Sequence, residues 1–335
     1  KGYNIGDFLD VNKRLGVLDF YLAWHAATAD SQIFFAKYIK ERYQGNILTG
    51  SFYGSLGCTD FFSSSTASGT QRILNSGYMD FLAAPGVYVN RQPGGFTGQR
   101  EVQDSFTLRN MIFIIEEDTR THLEIDHFKN LFDYYTIEDS INVLKRDFGR
   151  NICENTYAWW FDQHKGGGRY KHEEIYRLFK KQQEIAGETY KGDLTKSNEI
   201  AIIFDEESLA LISNQSNYQL IEYFRNYEVA RIGAGVDYYF HNDLSNPDMP
   251  DYKLYVFLNS LYLSGKEREQ IKAKLKKNNA TALWVYASGV VNPDLEMPFD
   301  INNITDLTGI KTNALFERWS TKFKLCETSP VFKDL

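Results

Sequence analysis

Several features that define common classes of protein are scarce in this chain of 335 residues. It has only three cysteines, Cys58, Cys153 and Cys326, which lie far apart and form no CxxC or Cys/His cluster. This pattern argues against a disulfide framework and a zinc site, so we expect a buried free thiol at each position. No apolar stretch approaches the roughly 18 residues of a membrane span, and the sequence as given starts without a signal peptide. We therefore expect a soluble protein that contacts no membrane.

Basic residues are fewer than acidic residues, and sequence motifs for cofactor binding are missing. The 37 Lys and Arg against 44 Asp and Glu give a net charge of −7, which disfavours nucleic acid as a partner and suits a neutral or cationic ligand. The glycine-rich segment 232–235 lacks the third glycine of a dinucleotide fingerprint, and the second half of the chain has no G-x-S-x-G or G-x-C-x-G elbow. No histidine pair has the H-x-x-x-H spacing of a metal site. We expect neither a cofactor nor a metal.

Aromatic residues, in contrast, are plentiful. Together 22 Tyr, 24 Phe and 5 Trp make up 15% of the chain. Such rings fill cores, which composition alone favours, but they also stack on the C–H faces of sugars. Both uses remain open at this point.

Helices and strands alternate through the first part of the chain. Hydrophobic periodicity and stop signals predict helices at 18–43, 71–75, 137–150 and 173–186, and strands at 47–53, 79–84, 111–115 and 156–161. Strands that alternate with helices are typical of a parallel α/β arrangement. Four strands are half of a (β/α)8 barrel, so we predict residues 1–188 to be a half-barrel unit.

A second α/β unit is predicted after the polar segment 189–198. Its predicted strands are 200–204, 237–240, 254–258 and 282–286, and its predicted helices are 218–229 and 265–277. This is the pattern of a doubly wound, flavodoxin-like domain over residues 189–335. A weaker signal predicts a closing strand at 316–325.

The most informative stretch is the unbroken apolar run 111–115, which ends in Glu116, Glu117, Asp118 and Arg120. Such a run predicts a strand buried on both faces, and in barrels of parallel strands the chemistry lies where strands end. The other strands also end in polar or aromatic side chains. These are Tyr53, Tyr88 with Arg91, and Trp159 with Trp160 and Asp162. The four strand ends therefore predict one composite site, although an acidic strand-to-loop junction with its own salt bridge is an alternative for the stretch taken alone.

Paired carboxylates suggest glycoside hydrolysis, which needs one group to donate a proton and one to attack or to activate water. Either Glu116 or Glu117 can supply one of them, and because neighbouring strand residues point to opposite sides, only one can face the cavity. Arg91 and Arg120 can keep that carboxylate ionised. The expected sugar platform is Tyr88, Trp159 and Trp160, with Asp162 accepting hydrogen bonds from hydroxyls.

The order of these pieces resembles a known family. The succession is Phe52-Tyr-Gly54, Asp80 to Pro85, Tyr88, Arg91, Gly94-Gly95, Glu116-x-Asp118-x-Arg120 and Trp159-Trp160-Phe161-Asp162. It looks like the C-terminal half of the TIM barrel of clan-A glycoside hydrolases, close to family 42 β-galactosidases. The stretches 204–208, 251–259, 284–289 and 307–310 are similar to the amidotransferase-like, trimer-forming domain that follows this barrel.

The resemblance implies a retaining glycosidase of β-galactosidase type. Its nucleophile is Glu116 (Glu117 being the alternative), and its substrate is a galactoside or other oligosaccharide. The implied substrate-binding residues are Tyr53, Tyr88, Arg91, Asp118, Arg120, Trp159, Trp160 and Asp162. The acid/base glutamate of the family ends the fourth strand, and no Glu precedes position 41 here. The chain alone is therefore expected to be poorly active or inactive, and to pair with an N-terminal half or to form a homotrimer. The alternative is a non-catalytic carbohydrate-binding or assembly protein of the same fold, and an amidotransferase-related protein is weakened by the missing elbow.

Overall fold

Two four-stranded sheets, parallel throughout, form the framework of the protein. The computed structural model describes residues 3–5, 8–53, 68–98, 100–124, 132–163, 167–212 and 218–313. The predicted closing strand at 316–325 lies outside these residues, as do Cys58 and Cys326. The α/β arrangement with parallel strands is confirmed.

The elements of the described residues follow in chain order. The strands are β1 (Tyr3–Ile5), β2 (Phe8–Leu9), β3 (Gly50–Phe52), β4 (Phe81–Pro85), β5 (Ile112–Glu117), β6 (Tyr157–Trp160), β7 (Ile200–Phe204), β8 (Val236–Phe240), β9 (Leu254–Phe257) and β10 (Thr281–Trp284). The α-helices are α1 (Val11–Arg42), α2 (Thr70–Leu74), α3 (Gln103–Thr107), α4 (Ile137–Cys153), α5 (Glu173–Thr189), α6 (Gly265–Asn278) and α7 (Asn302–Thr308). Shorter 3₁₀ segments are Glu207–Leu211, Val229–Arg231 and His241–Ser245.

Local sequence signals explain where the longer helices begin. Thr136 caps α4 by accepting from the Asp139 backbone N–H while the Asp139 carboxylate reaches back to the cap, and Ser264 and Glu267 repeat this arrangement at α6. Each reciprocal pair satisfies backbone donors that the first helical turn leaves open. Helix α1 begins seven residues before the predicted start, because the exposed residues 13–17 interrupt the apolar spacing between the buried Val11 and Leu18. The helix predicted at 218–229 is a π-helical segment, Tyr218–Glu228.

The first sheet has the strand order β3-β4-β5-β6, so each strand pairs with the next one along the chain. Its two faces differ in burial. Neighbouring residues of a strand point to opposite faces, and the register places Phe52, Ile114 and Tyr157 in one row. On that side Phe52 is 60% and Tyr157 42% exposed, whereas Leu82 and Ile115 on the other side are fully buried. The side that carries Phe52, Phe81, Ile112, Ile114, Glu116, Tyr157 and Trp159 is here the open face, and the other side is the covered face.

The second sheet has the order β10-β9-β7-β8, in which the first strand of the unit lies between the second and the third. Its strands β7, β8 and β9 are buried on both faces, and only the edge strand β10 has exposed residues, Thr281 and Leu283. Ile202 and Phe204 point into the apolar cluster that also contains the covered face of the first sheet. Ile203 points to the opposite side, into a second cluster with Ile271 of α6 and Leu307 of α7. One shared core therefore joins the two sheets.

Two further predictions concern the thiol of Cys153 and membrane-spanning helices. Cys153 is exposed at the end of α4, so the prediction of a buried thiol is wrong at this position; the last turn of the helix points it away from the core. No helix in the described ranges combines the length and the apolarity that crossing a bilayer requires.

Candidate active site

Glu116 lies at the carboxyl end of β5, on the open face. The register pairs it with Pro85 of β4 and Trp159 of β6, and its carboxylate accepts a side-chain hydrogen bond from Trp159. Burial raises the pKa of Glu116, as does the charge of Asp118, while Arg100 and the Trp159 hydrogen bond act in the opposite direction. Glu116 is thus a half-buried carboxylate beside an indole ring that is itself 37% exposed.

Glu117 lies on the covered face, as the alternation along a strand requires. It is fully buried. Its Oε1 accepts hydrogen bonds from Arg150 and, at 2.9 Å, from Asn151 Nδ2, both of which belong to α4. Burial raises the pKa of Glu117, and Arg150 partly offsets that effect. This carboxylate ties α4 to the sheet and has no access to the open face.

Asp118 follows the strand and is the centre of an ion-pair cluster. Arg91 Nη1 lies 2.5 Å from Asp118 Oδ1, and Arg120 Nη1 lies 3.3 Å from Oδ2. Burial alone would raise the pKa of Asp118, but Arg91 and Arg120 together with a hydrogen bond from Tyr88 outweigh it and hold that pKa below its usual range. Asp118 is therefore an ionised anchor and is unsuited to donate a proton.

The ring of Tyr88 is surrounded by cations. The guanidinium carbons of Arg91, Arg100 and Arg120 lie 4.4, 4.8 and 5.7 Å from the ring centroid. Arg91 is fixed further by donating from Nε to the Val87 carbonyl at 2.7 Å. Such stacking is favourable for guanidinium groups and holds the ring in one orientation. The sequence analysis did not identify Arg100, because nothing in the glycine-rich loop between β4 and α3 distinguishes it from a solvated arginine.

Three predicted sugar-contacting residues lie away from this cluster. Trp160 points to the covered face, where its ring stacks on Phe179 with centroids 4.7 Å apart. Tyr53 is buried on the same face and donates from its hydroxyl to the Ser68 carbonyl at 2.8 Å. Asp162 accepts from the backbone N–H groups of Gly168 at 2.7 Å and Arg169 at 3.2 Å, and so orders the loop after β6. The structure thus brings together Tyr88, Arg91, Glu116, Asp118, Arg120 and Trp159.

The corresponding end of the second sheet holds a different network. Asp205 follows β7, and its Oδ1 lies 3.4 Å from His241 Nδ1, while His241 Nε2 lies 2.7 Å from Glu267 Oε1. Ser208 donates to Asp205 and accepts from the backbone N–H groups of Leu261 and Tyr262. The hydroxyl is therefore fully engaged in structural bonds and is not an activated nucleophile. Among the described residues, no group of three or more His, Cys, Asp or Glu is arranged to hold a metal ion.

Comparison with known proteins adds no assignment to this geometry. No protein-family model matches the chain, and no curated protein matches it significantly.

Proposed function

We propose that the chain is the nucleophile-bearing part of a retaining glycoside hydrolase of β-galactosidase type, with Glu116 as the nucleophile. The observation that carries the proposal is the position of Glu116 at the carboxyl end of a parallel strand, on the open face and hydrogen-bonded to Trp159. In a retaining mechanism such a carboxylate attacks the anomeric carbon and forms a glycosyl-enzyme, which water then hydrolyses.

The neighbours of Glu116 suit this role. Burial and Asp118 raise the pKa of Glu116, and Arg100 and the Trp159 hydrogen bond partly offset this rise in favour of the ionised carboxylate, which is the form that attacks. Trp159 and Tyr88 offer partly exposed rings on which a sugar can stack. Arg120, whose side chain is 13% exposed, provides a charged group for its hydroxyls, whereas Asp118 and Arg91 are both 1% exposed and position Arg120 and Tyr88 instead of contacting the sugar. In this proposal Tyr53, Trp160 and Asp162 do not contact the sugar. They fix the sheet and the loop after β6.

The finer fold proposal is a half of a TIM barrel followed by a flavodoxin-like domain. Consecutive strands of the first sheet are neighbours, as in a barrel. Its open face then corresponds to the barrel interior, where layers of side chains normally pack. The order of the second sheet, 2-1-3-4 when its strands are numbered within the unit, is that of flavodoxin-like folds.

The general acid is proposed to come from another polypeptide segment. Of the three strand-end carboxylates of β5, Glu117 and Asp118 are bound by arginines, and only Glu116 remains on the open face. Without a general acid the hydrolysis of ordinary glycosides falls by about 10²–10⁴-fold. A second half-barrel that pairs with the edge strands β3 and β6 would supply the acid and cover the apolar open face. Assembly into a homotrimer through the second domain is part of the same proposal.

Covalent labelling of the chain tests the nucleophile directly. A fluorinated galactoside with a dinitrophenyl leaving group is suitable, because the departure of that group needs no proton donor. We expect peptide mapping to find the sugar on Glu116, no label in Glu116→Gln, and full labelling in the matched variant Glu117→Gln at the adjacent position, provided that it folds as judged by circular dichroism. A label on another residue, or none, overturns the assignment.

The alternative function is sugar binding without chemistry. It is favoured by the engagement of Glu117 and Asp118 in ion pairs, which leaves one carboxylate where hydrolysis needs two. Saturable binding of galactosides by the chain, with no covalent label on Glu116, would establish this alternative instead of the hydrolase.

A further inference from the structure

Arg100 differs from the other two arginines around Tyr88. Arg91 and Arg120 both bind the carboxylate of Asp118. Arg100 is only 7% exposed, yet it takes part in none of the ion pairs and side-chain hydrogen bonds found among the described residues. A buried charge is normally paired, because its removal from water is costly. The surroundings of Arg100 therefore lack the anion that such a guanidinium requires.

Stacking on Tyr88 holds Arg100 in place but does not neutralise it. The guanidinium carbon lies 4.8 Å from the ring centroid, which is within the range of a cation–π interaction. The Nε atom is enclosed and has no partner in the described part of the chain. Nη1 and Nη2 are not enclosed in this way, so these two terminal nitrogens are the atoms that a ligand can reach.

The charge around Tyr88 is opposite in sign to that of the whole chain. The chain carries −7, but around this ring three arginines meet two carboxylates, Asp118 and Glu116. Arg100 acts on the charge of Glu116 through space, and no ion pair joins the two side chains. The excess of positive charge at this end of the sheet attracts an anion, although the protein as a whole repels one.

An anionic group on the sugar itself would meet both requirements. In a hexuronic acid, the anomeric carbon and the carbon that bears the carboxylate are both bonded to the ring oxygen. One ring can therefore present its anomeric carbon to Glu116 and its carboxylate to Arg100. A sulfate ester at O6 places an oxyanion on the same side of the ring, and the guanidinium fork binds such oxyanions through paired hydrogen bonds.

We propose that Arg100 binds an oxyanion on the sugar that lies at Glu116, and that the ligands of this site are acidic glycosides. Nη1 and Nη2 of Arg100 donate to the carboxylate of a hexuronide or to the sulfate of a 6-sulfated sugar. The inference rests on the proposed function for the position of the sugar, but it concerns binding and does not require Glu116 to attack. A neutral galactoside binds the same site more weakly, because it leaves the charge of Arg100 unpaired.

Calorimetry on the full chain tests this proposal with three methyl β-glycosides of matched stereochemistry. They are the galactoside, the galacturonide and the galactoside 6-sulfate. We expect at least one anionic sugar to bind with one-to-one stoichiometry and about tenfold or more tightly than the neutral one, and the tighter of the two identifies the carboxylate or the sulfate as the preferred group. If neither anionic sugar binds more tightly than the galactoside, the proposal is overturned.

The covalent labelling of Glu116 separates this proposal from the proposed function. A preference for anionic sugars without a label on Glu116 would support the role of Arg100 and remove the nucleophile. A label on Glu116 without any preference for anionic sugars would support the nucleophile and remove the role of Arg100.

Substitutions at Arg100 show whether the anion binds at this residue. The preference for the anionic over the neutral sugar should disappear in Arg100→Gln and should fall only in part in Arg100→Lys, which keeps the charge without the fork. Arg177→Gln, at an exposed arginine paired with Glu173, is the matched control and should keep the full preference. An undiminished preference in folded Arg100→Gln would show that the anion binds elsewhere and would overturn the assignment. The comparison of the three sugars on the original chain decides the proposal even where a variant does not fold.

Discussion

Both sheets of this protein consist of parallel strands, but they differ in how far their faces are buried. The second sheet is covered on both faces over β7, β8 and β9, as parallel sheets usually are. The first sheet is covered on one face only, and its other face leaves aromatic rings and Glu116 accessible. Exposed aromatic rings on one face of a parallel sheet are typical of a surface that binds a ligand or a second polypeptide. This difference supports the proposal that the open face is such a surface.

The carboxyl ends of the two sheets differ in the cations that balance their buried aspartates. Asp118 after β5 is balanced by arginines beside a solvent-accessible ring, whereas Asp205 after β7 is balanced by a fully enclosed histidine. Both are buried ion pairs, and each adjoins a partly exposed group, which is Tyr88 for Asp118 and Glu267, 23% exposed, for His241. The two ends differ in the cation, because arginines keep their charge at high pH and a histidine loses it.

The largest effect is expected from breaking the ion pair of the first sheet. Arg91→Leu leaves Asp118 buried without its closest cation, so we expect a loss of about 3–5 kcal/mol in the free energy of unfolding. Arg120→Leu removes the more distant contact, 3.3 Å away, and should cost less than half as much. Urea denaturation measures both values. Equal losses would show that the two arginines share the charge evenly, contrary to the geometry.

Two adjacent isoleucines of β5 test the difference between the faces. Ile115 is fully buried on the covered face, and Ile114 is partly exposed on the open face. Ile115→Ala should cost about 2–5 kcal/mol, as other large-to-small core changes do, and Ile114→Ala should cost less than half of that. If urea denaturation gives similar losses, the open face is buried in solution, and the contrast between the sheets disappears.

The two sheet ends should respond to opposite extremes of pH. Burial alone would lower the pKa of His241, but Asp205 and Glu267 raise it to about 10. His241 therefore binds its proton more tightly in the folded state, and it stabilises fully below its ordinary pKa of 6.5 and loses that contribution as pH rises through about 10. The pKa of Asp118 is lowered, so its contribution is present above 3.8 and is lost as pH falls further.

Thermal unfolding of His241→Gln tests the alkaline part of this contrast. The variant should be less stable than the original chain at pH 6.5 and should show a flatter decline of stability toward pH 10. Parallel pH profiles for the two proteins would mean that His241 is not the group responsible.

The smallest effect is expected on the open face itself. Phe52→Ser changes a ring that is 60% exposed, so stability should change by no more than about 0.5 kcal/mol. Binding of a hydrophobic dye should fall, because the variant removes apolar surface. Tyr157→Ser, at the other edge of the face, also removes the stacking of this ring on Tyr190, whose centroid lies 4.6 Å away, and should cost about 1 kcal/mol more. A large loss of stability in Phe52→Ser would contradict an open face in the isolated chain.

Much of the local structure was predictable, because it depends on neighbouring residues. The apolar run 111–115 correctly predicted that β5 is a strand, and the strands of both sheets lie within a few residues of their predicted positions. Its predicted burial on both faces is wrong, because Ile112 and Ile114 on the open face are only partly buried. The alternation of side chains correctly predicted that Glu116 and Glu117 face opposite ways. The half-barrel and the flavodoxin-like domain remain predictions, since strand order in a four-stranded sheet is compatible with more than one complete fold.

The candidate site was predictable only in part. Tyr88, Arg91, Asp118 and Arg120 come together as expected because they follow adjacent parallel strands. Trp160 was expected on the sugar platform with Trp159, yet adjacent strand residues cannot share a face. The position of Arg100 beside Tyr88 depends on the loop between β4 and α3, for which the sequence has no local signal.

The sequence by itself determined where the strands lie and which polar groups end them, because hydrophobic runs and periodicities act over a few residues. The tertiary structure alone decided which carboxylate reaches the open face and which arginines neutralise Asp118. It also decided that the second sheet is covered on both faces and the first sheet on one. These outcomes depend on strand register and on contacts between residues far apart in the chain, such as Glu206 with Thr70. Such contacts form only when distant segments pack, and no single stretch of sequence encodes them.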